Sequence, residues 1–325
     1  MDRRSLLAGV GVAIIPGIAR AQARYPDRPI RLVIGFAAGG PTDIVARRLA
    51  ERLGAQLGQP VIVENRGGAA ATIASAEVAR ARPDGHTLML ATSSSHAIAA
   101  TLMVRPTFDP IADFAPIGLI GEVPMVLSAN PGFAAQSLPE LLALLRRVPP
   151  GSITYASSGT GGISHFAMEL LMRQAGGVVM TQVPYRGAGP ALQDVLAGHI
   201  PLFIDTFSTA LPHHRDGRLK IIANFSRVRS PAVPDVPTGI EGGVPDMVAN
   251  TYNALLAPAG TAIAVIERLH QAVLEVARDT DFQGFLRSLS IEPVPDTSPA
   301  STLAYMRSEL EKWRPVIRAT GMTME

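Results

Sequence analysis

The chain has no cysteine, so it can form neither a disulfide nor a thiolate metal site, and its fold must rest on a hydrophobic core alone. It carries little excess charge: the formal net charge is +2 over 325 residues, without a lysine-rich cluster. That excludes the electrostatic footprint of a nucleic-acid-binding protein. Motifs of nucleotide and hydrolytic chemistry are missing as well. There is no Gly-Lys-Ser/Thr ending, no GxGxxG spacing, no GxSxG elbow and no HExxH, and no second histidine stands at metal-ligand spacing from His165. No cofactor or metal is implied, and a protein without catalysis is expected. Long apolar runs are scarce too: the run at 6–18 is shorter than the roughly 20 residues that cross a bilayer, and no other stretch is apolar enough.

What the chain does have is a pair of matching turns, Val33-Ile-Gly-Phe-Ala-Ala-Gly-Gly-Pro-Thr-Asp43 and Thr154-Tyr-Ala-Ser-Ser-Gly-Thr-Gly-Gly-Ile-Ser164. Each leaves an apolar strand, passes through glycines and hydroxyls, and opens a helix. A helix start offers unpaired N–H groups and the positive end of the dipole, and glycine admits a ligand close to them. Two such starts suggest an anion gripped from two sides.

Arg3-Arg4, the apolar run at 6–18 and Ala19-Arg20-Ala21 form an export signal with a small-x-small cleavage site. Residues 1–21 are expected to be removed, leaving Gln22 first in a periplasmic protein; both the general and the twin-arginine routes fit. Loss of Asp2, Arg3, Arg4 and Arg20 brings the mature chain near zero net charge, and its length favours two domains.

The pattern is α/β. Strands at 30–36, 60–64 and 86–91 alternate with helices at 43–57, whose apolar face holds Ile44, Leu49, Leu53 and Leu57, and at 69–82. After a proline-rich passage at 106–116, an extended segment at 117–130 leads into a second series. Its helices are at 138–147, 163–174 and 190–197, its strands at 153–156, 181–183, 200–205 and 219–224, and a Pro- and Gly-dense loop follows at 230–243. A second extended run, 251–257, returns the chain. This gives a first domain of 22–122 and 251–325, a second of 123–250, and a hinge of two crossover segments beside a cleft that can close. Helices at 263–277 and 301–320 should pack the first domain, with Trp313 as a packing anchor and Glu309 and Glu311 in solvent.

The motifs Gly39-Gly40-Pro-Thr-Asp43, Val63-Glu64-Asn65-Arg66, Asp84-Gly85-His86-Thr87, Val183-Pro184-Tyr185-Arg186-Gly187, Pro237-Thr238-Gly-Ile-Glu241 and Ala257-Pro258-Ala-Gly-Thr261 resemble the Bug family. These are extracytoplasmic solute receptors of tripartite tricarboxylate transporters. The resemblance implies a two-domain, type II periplasmic-binding-protein-like fold and a monomer. It would close on a small mono- or dicarboxylate and deliver it to membrane permease subunits. Gly67-Gly68, Ala99-Ala100, Met103 and Tyr252-Asn253-Ala254 depart from the family pattern, which weakens any transfer of substrate identity. A ligand sensor signalling to a membrane kinase and a periplasmic hydrolase are the alternatives.

The candidate ligand-binding residues follow from these turns and from strand ends at the carboxyl edge of the sheet, where open α/β sheets bind ligands. Phe36, Ala38, Gly39, Gly40, Thr42 and Asp43 form the first turn, and Ser158, Gly159, Thr160, Gly161 and Ser164 the second. Thr92, Ser93 and Ser94 follow a strand, and Tyr185, Asp205 and Thr206 end strands of the second series. Backbone N–H groups at 38–43 and 159–163, helped by hydroxyls, would be the donors. Thr42 and Asp43 also suit capping, His165 suits packing or capping, His96 suits a cap or a ligand contact, and Arg186 either forks onto a ligand carboxylate or pairs with a structural acid. Asp205 either binds a ligand amine or hydroxyl or holds the opposing loop.

Overall fold

The computed structural model describes residues 25–324; the expected signal peptide and Gln22 lie outside them. The chain begins β1 (Ile30–Ile34), α1 (Pro41–Leu57), β2 (Val61–Asn65), α2 (Thr72–Ala79), β3 (Thr87–Ala91), α3 (Ala99–Leu102) and β4 (Phe114–Ala129). It continues α4 (Leu138–Leu145), β5 (Thr154–Ser157), α5 (Ile163–Gln174), β6 (Thr181–Pro184), α6 (Ala188–Leu196), β7 (Leu202–Thr206), α7 (Phe207–Arg215) and β8 (Lys220–Asn224). The last elements are β9 (Asn250–Pro258), α8 (Ile263–Arg278), α9 (Thr280–Ser288), β10 (Glu292–Pro293) and α10 (Pro299–Thr320).

Local chemistry explains the element ends. Pro41 opens α1, where its fixed φ suits the first helical position and its missing N–H costs nothing. Gly58, at φ 71°, closes that helix in the left-handed region. β1 is apolar except for Arg31, because Ile30, Leu32, Val33 and Ile34 are all buried under helices on both faces.

The strand order is β2-β1-β3-β9-β4-β7-β5-β6, with β8 and β10 also on β4. β4 is the organising element because it serves two sheet halves. Phe114 to Pro124 pair antiparallel with β9, while Met125 to Ala129 pair antiparallel with β7. β1 and β3 run parallel to each other, as do β5 and β7. Ala91, the last residue of β3, pairs with Ala254, which faces Leu119, so the chain beyond β3 heads toward Pro124. From the other side, Thr206 at the end of β7 pairs with Met125. The carboxyl edges of both halves therefore converge on one step of one strand.

Four expectations need correction. The helix expected at 69–82 begins only at Thr72, because Ala69, Ala70 and Ala71 all have positive φ. The cause is tertiary: Ala71 packs onto Gly35 so closely that a Cβ there would lie 2.1 Å from the Ala71 Cβ. Ile44 is exposed, and Val45 and Ala46 turn inward instead. α3, α7, α9 and β10 were not expected. Finally, α10 does not pack the first half alone. It lies against β4, the turn at 94–98 and α5, and Trp313 is buried in one cluster with Ile98 and Leu102 of the first half and Leu127, Tyr155 and Phe166 of the second. Among the described residues no helix is long and apolar enough to cross a membrane.

Candidate functional site

The first turn leaves β1 and enters α1 through Gly39, at φ 81°, and Gly40, which is the N-cap. Asp43 is therefore not a cap but a first-turn acid, 2% exposed. Its carboxylate accepts the Gly39 N–H at 2.9 Å, Arg47 Nε at 2.9 Å and Asn65 Nδ2 at 2.9 Å. Burial pushes its pKa up, but Arg47, the Gly39 N–H and Asn65 outweigh that and hold it below the usual carboxylate range. Two expected donors are thus lost, since the Gly39 N–H is engaged and Pro41 has none. The N–H groups of Gly40, Thr42 and Asp43 have no acceptor among the described residues. Asn65 also donates to the Phe36 carbonyl at 3.0 Å, which fixes the turn from β2. Thr42 does not cap; Phe36 is half-buried and Ala38 exposed at the lip.

The second turn runs through Gly159 and Gly161, at φ 141° and 79°, to Gly162, the N-cap of α5. Gln182 on β6 clamps it, donating to Ser157 Oγ at 2.7 Å and to the Gly159 carbonyl at 3.2 Å. Here too some donors are engaged. The Gly161 N–H points at His165 Nδ1, 3.4 Å away, so His165 caps this end, and the Ile163 N–H goes to Ser94 Oγ at 3.2 Å. That last bond joins the two sheet halves. N–H groups of Gly159, Thr160, Gly162 and Ser164 have no acceptor among the described residues.

Thr92 to His96 form no solvated loop. The segment is buried and winds through a wide helical turn at Ser94–Ile98 into α3. Ser93 faces Glu309 and the Asn250 carbonyl, both at 3.4 Å, rather than open space. Thr92 Oγ1 is buried without a partner among the described residues. His96 lies against Phe108 and Phe114, and burial pushes its pKa down to about 3, so the ring is neutral.

Tyr185 does not offer its hydroxyl to the cleft, because it donates to Asp194 Oδ2 at 2.5 Å. Arg186 is exposed and forms no ion pair among the described residues. Asp205 and Thr206, in contrast, stand where the carboxyl edges converge. Asp205 Oδ1 accepts the Thr206 N–H at 2.8 Å, the Thr209 hydroxyl at 3.0 Å and the Thr206 hydroxyl at 3.3 Å, and burial pushes its pKa above the usual carboxylate range. Ser158 Oγ lies 2.9 Å from Ser164 Oγ. This brings Ser158, Ser164, Asp205 and Thr206 together with Ser94, while the first turn lies across the junction on the other half.

The sequence reading missed Ser208 and Thr209, although their hydroxyls follow a strand end as those of 92–95 do. It also placed Glu309 in solvent; Glu309 is buried and accepts the Trp313 indole N–H at 3.1 Å. The spacing of Glu309 and Trp313, four apart on a helix, was the available signal.

The sequence signature described as tripartite tricarboxylate transporter family receptor matches residues 45–322. Protein BugT of Bordetella pertussis is 35% identical, the match covering all of both chains. The R. palustris protein Rpa4515, solved with adipate, is 30% identical with a TM-score of 0.85, over 92% of this chain and 99% of that one. MatC from Rhodopseudomonas palustris, solved with bound malate, is 33% identical with a TM-score of 0.82, over 90% of this chain and all of its own.

Proposed function

Since the chain belongs to the tripartite tricarboxylate transporter receptor family, we propose that it is a periplasmic binding protein that captures a small mono- or dicarboxylate and delivers it to the permease subunits of such a transporter. Residues 22–122 with 251–325 form one lobe and 123–250 the other, closing about β4 and β9 as hinge strands. Family and fold are those of binding receptors rather than enzymes. Export follows from the N-terminal signal, with Gln22 as the mature start.

The observation that carries this reading is that the two sheet halves run their carboxyl ends toward each other along β4, and that each half opens a helix from a glycine turn at such an end with N–H groups free of protein acceptors. Free N–H groups at a dipole's positive end suit a carboxylate, and charge-assisted bonds to it are roughly twice as strong as neutral ones. Relatives solved with malate and adipate bind acids of different length, so membership alone does not name the ligand here.

Native mass spectrometry of gently purified protein should reveal a carried-over acid, and small-angle scattering should show a smaller radius when that acid saturates the protein. Titration with a panel of mono-, di- and tricarboxylates that gives no binding would overturn the proposal.

A further inference from the structure

Each glycine turn is held by one primary amide from a neighbouring strand. Gln182 on β6 donates through Nε2 to the Gly159 carbonyl at 3.2 Å and to Ser157 Oγ at 2.7 Å, and its Oε1 accepts the Thr160 hydroxyl at 3.4 Å. Asn65 on β2 donates through Nδ2 to the Phe36 carbonyl at 3.0 Å and to Asp43 Oδ1 at 2.9 Å, and its Oδ1 accepts from Arg47 at 3.3 Å. An amide suits this task because it gives hydrogens from its nitrogen and takes them at its oxygen. The two amides also hold corresponding places in the sheet. β2 and β6 stand at the two ends of the strand order, and each runs parallel beside the strand that feeds its turn.

What the amides grip decides what the turns offer. A trans peptide points its C=O and its N–H in opposite directions, and the peptides Phe36–Ala37 and Gly159–Thr160 are both trans. A carbonyl drawn to an amide on the outer strand therefore leaves the following N–H pointing the other way, to the side on which the opposite half of the sheet lies. The N–H groups of Ala37 and Thr160 have no acceptor among the described residues. The same bonds keep two carbonyl oxygens, which would repel a carboxylate, from turning toward it. Gly159 has φ 141°, a region open to glycine and to little else, so the backbone before this peptide resists rocking weakly. The bonds from Gln182 supply the missing restraint. Ser157 Oγ, 3.3 Å from the same carbonyl, is itself anchored by Gln182.

We infer that Gln182 and Asn65 are positioning residues of the two binding turns: they hold the Gly159 and Phe36 carbonyls outward and so aim the Thr160 and Ala37 N–H groups at an incoming carboxylate. Neither amide needs to touch the ligand. Their contribution is to order the donors before binding, so that the ligand does not bear that cost. This role rests on the carboxylate-receptor reading above.

Proton–nitrogen correlation NMR of the labelled protein tests it, with malate and adipate as probes and calorimetry beside it. At saturation with whichever acid binds, the wild-type Thr160 and Ala37 amides should move downfield as each takes up a hydrogen bond. Gln182→Met keeps the length of the side chain without its amide. In that variant the free protein should show a broadened Thr160 amide, and affinity should fall about tenfold, the effect of one well-made hydrogen bond at a buried site. Its urea midpoint should stay near that of the wild type, because Gln182 is half-buried on an edge strand. Asn65→Leu should act in the same way on Ala37 and spare Thr160, which keeps the test open if circular dichroism shows Gln182→Met misfolded. Thr160 and Ala37 amides that stay unmoved in saturated wild type, or full affinity in the folded variants, overturn the positioning role and leave the receptor reading intact. Binding of no acid overturns the receptor reading, and a sharp Thr160 amide in free Gln182→Met overturns the positioning role on its own.

Discussion

Replacing Glu309 measures how firmly α10 ties the two sheet halves together. The Glu309 carboxylate sits inside the protein and accepts the Trp313 indole N–H at 3.1 Å, with the Ser93 hydroxyl 3.4 Å away and Lys312 paired to its other oxygen. Trp313 is fully buried, so Glu309→Leu strands its N–H without water, which costs about 1–3 kcal/mol. Lys312 is 30% exposed and lies over the indole ring, so its lost ion pair adds about 1 kcal/mol or less. The sum is about 1–4 kcal/mol for leucine, whereas Glu309→Gln keeps an acceptor for the indole and should cost about 1 kcal/mol or less, because only the charge is lost. Urea unfolding followed by circular dichroism reads both as shifts in midpoint at constant m-value. A leucine variant within about 0.5 kcal/mol of wild type, the ordinary scatter of surface substitutions, or a glutamine variant as unstable as leucine, would show that the buried acceptor is not what holds the helix.

Gly161→Val should fold but lose most ligand affinity, because a branched side chain at φ 79°, with its Cβ 3.4 Å from Leu102 Cδ1, is strained and covers the turn; a folded variant with full affinity in calorimetry would displace the site from this turn. His96 should destabilise the protein toward acid. Its folded pKa of about 3 lies below the ordinary 6.5, so between those values the unfolded chain binds a proton that the folded one refuses, and stability falls by up to about 1.4 kcal/mol per pH unit as pH drops below 6.5. His96→Leu should flatten that slope between pH 6.5 and 5 in urea titrations, using about the span where histidine alone titrates, and identical slopes would refute the assignment. N-terminal sequencing of protein from fractionated cells should begin at Gln22 outside the cytoplasm, and a soluble cytoplasmic pool that keeps residues 1–21 would contradict export.

Much of the fold was legible because its signals are local. The two extended segments expected at 117–130 and 251–257 are β4 and β9, long apolar strands bounded by prolines, and α5 starts and ends where its pattern says. Signals failed where the cause is distant. Ala69, Ala70 and Ala71 read as a helix start, and only the approach of Ala71 to Gly35 turns them left-handed. α7 was hidden by Pro212 in its interior and by the adjacent His213-His214, which blur the apolar period. The pattern of α10 shows that one face is buried but not that two halves of the sheet share it.

At the site, residue types were legible and their bonding was not. Glycine turns at two strand ends pointed to the right backbone, yet which N–H groups stay free depends on side chains that arrive from elsewhere: Asp43 takes the Gly39 N–H and Ser94 takes that of Ile163. Tyr185 looked like a donor until Asp194 on α6 accounted for its hydroxyl. The hydroxyls show the same limit more sharply. Sequence can say that Ser158 and Ser164 flank a turn, and hydroxyls there can either give or take a hydrogen bond. Only the structure shows that Ser158 and Ser164 spend part of that capacity on each other, 2.9 Å apart, while Asp205 on the neighbouring parallel strand takes the Thr206 N–H and the Thr209 hydroxyl. A serine's place in the chain therefore marks the turn, while partners that arrive from other elements set how much of its bonding capacity is left over.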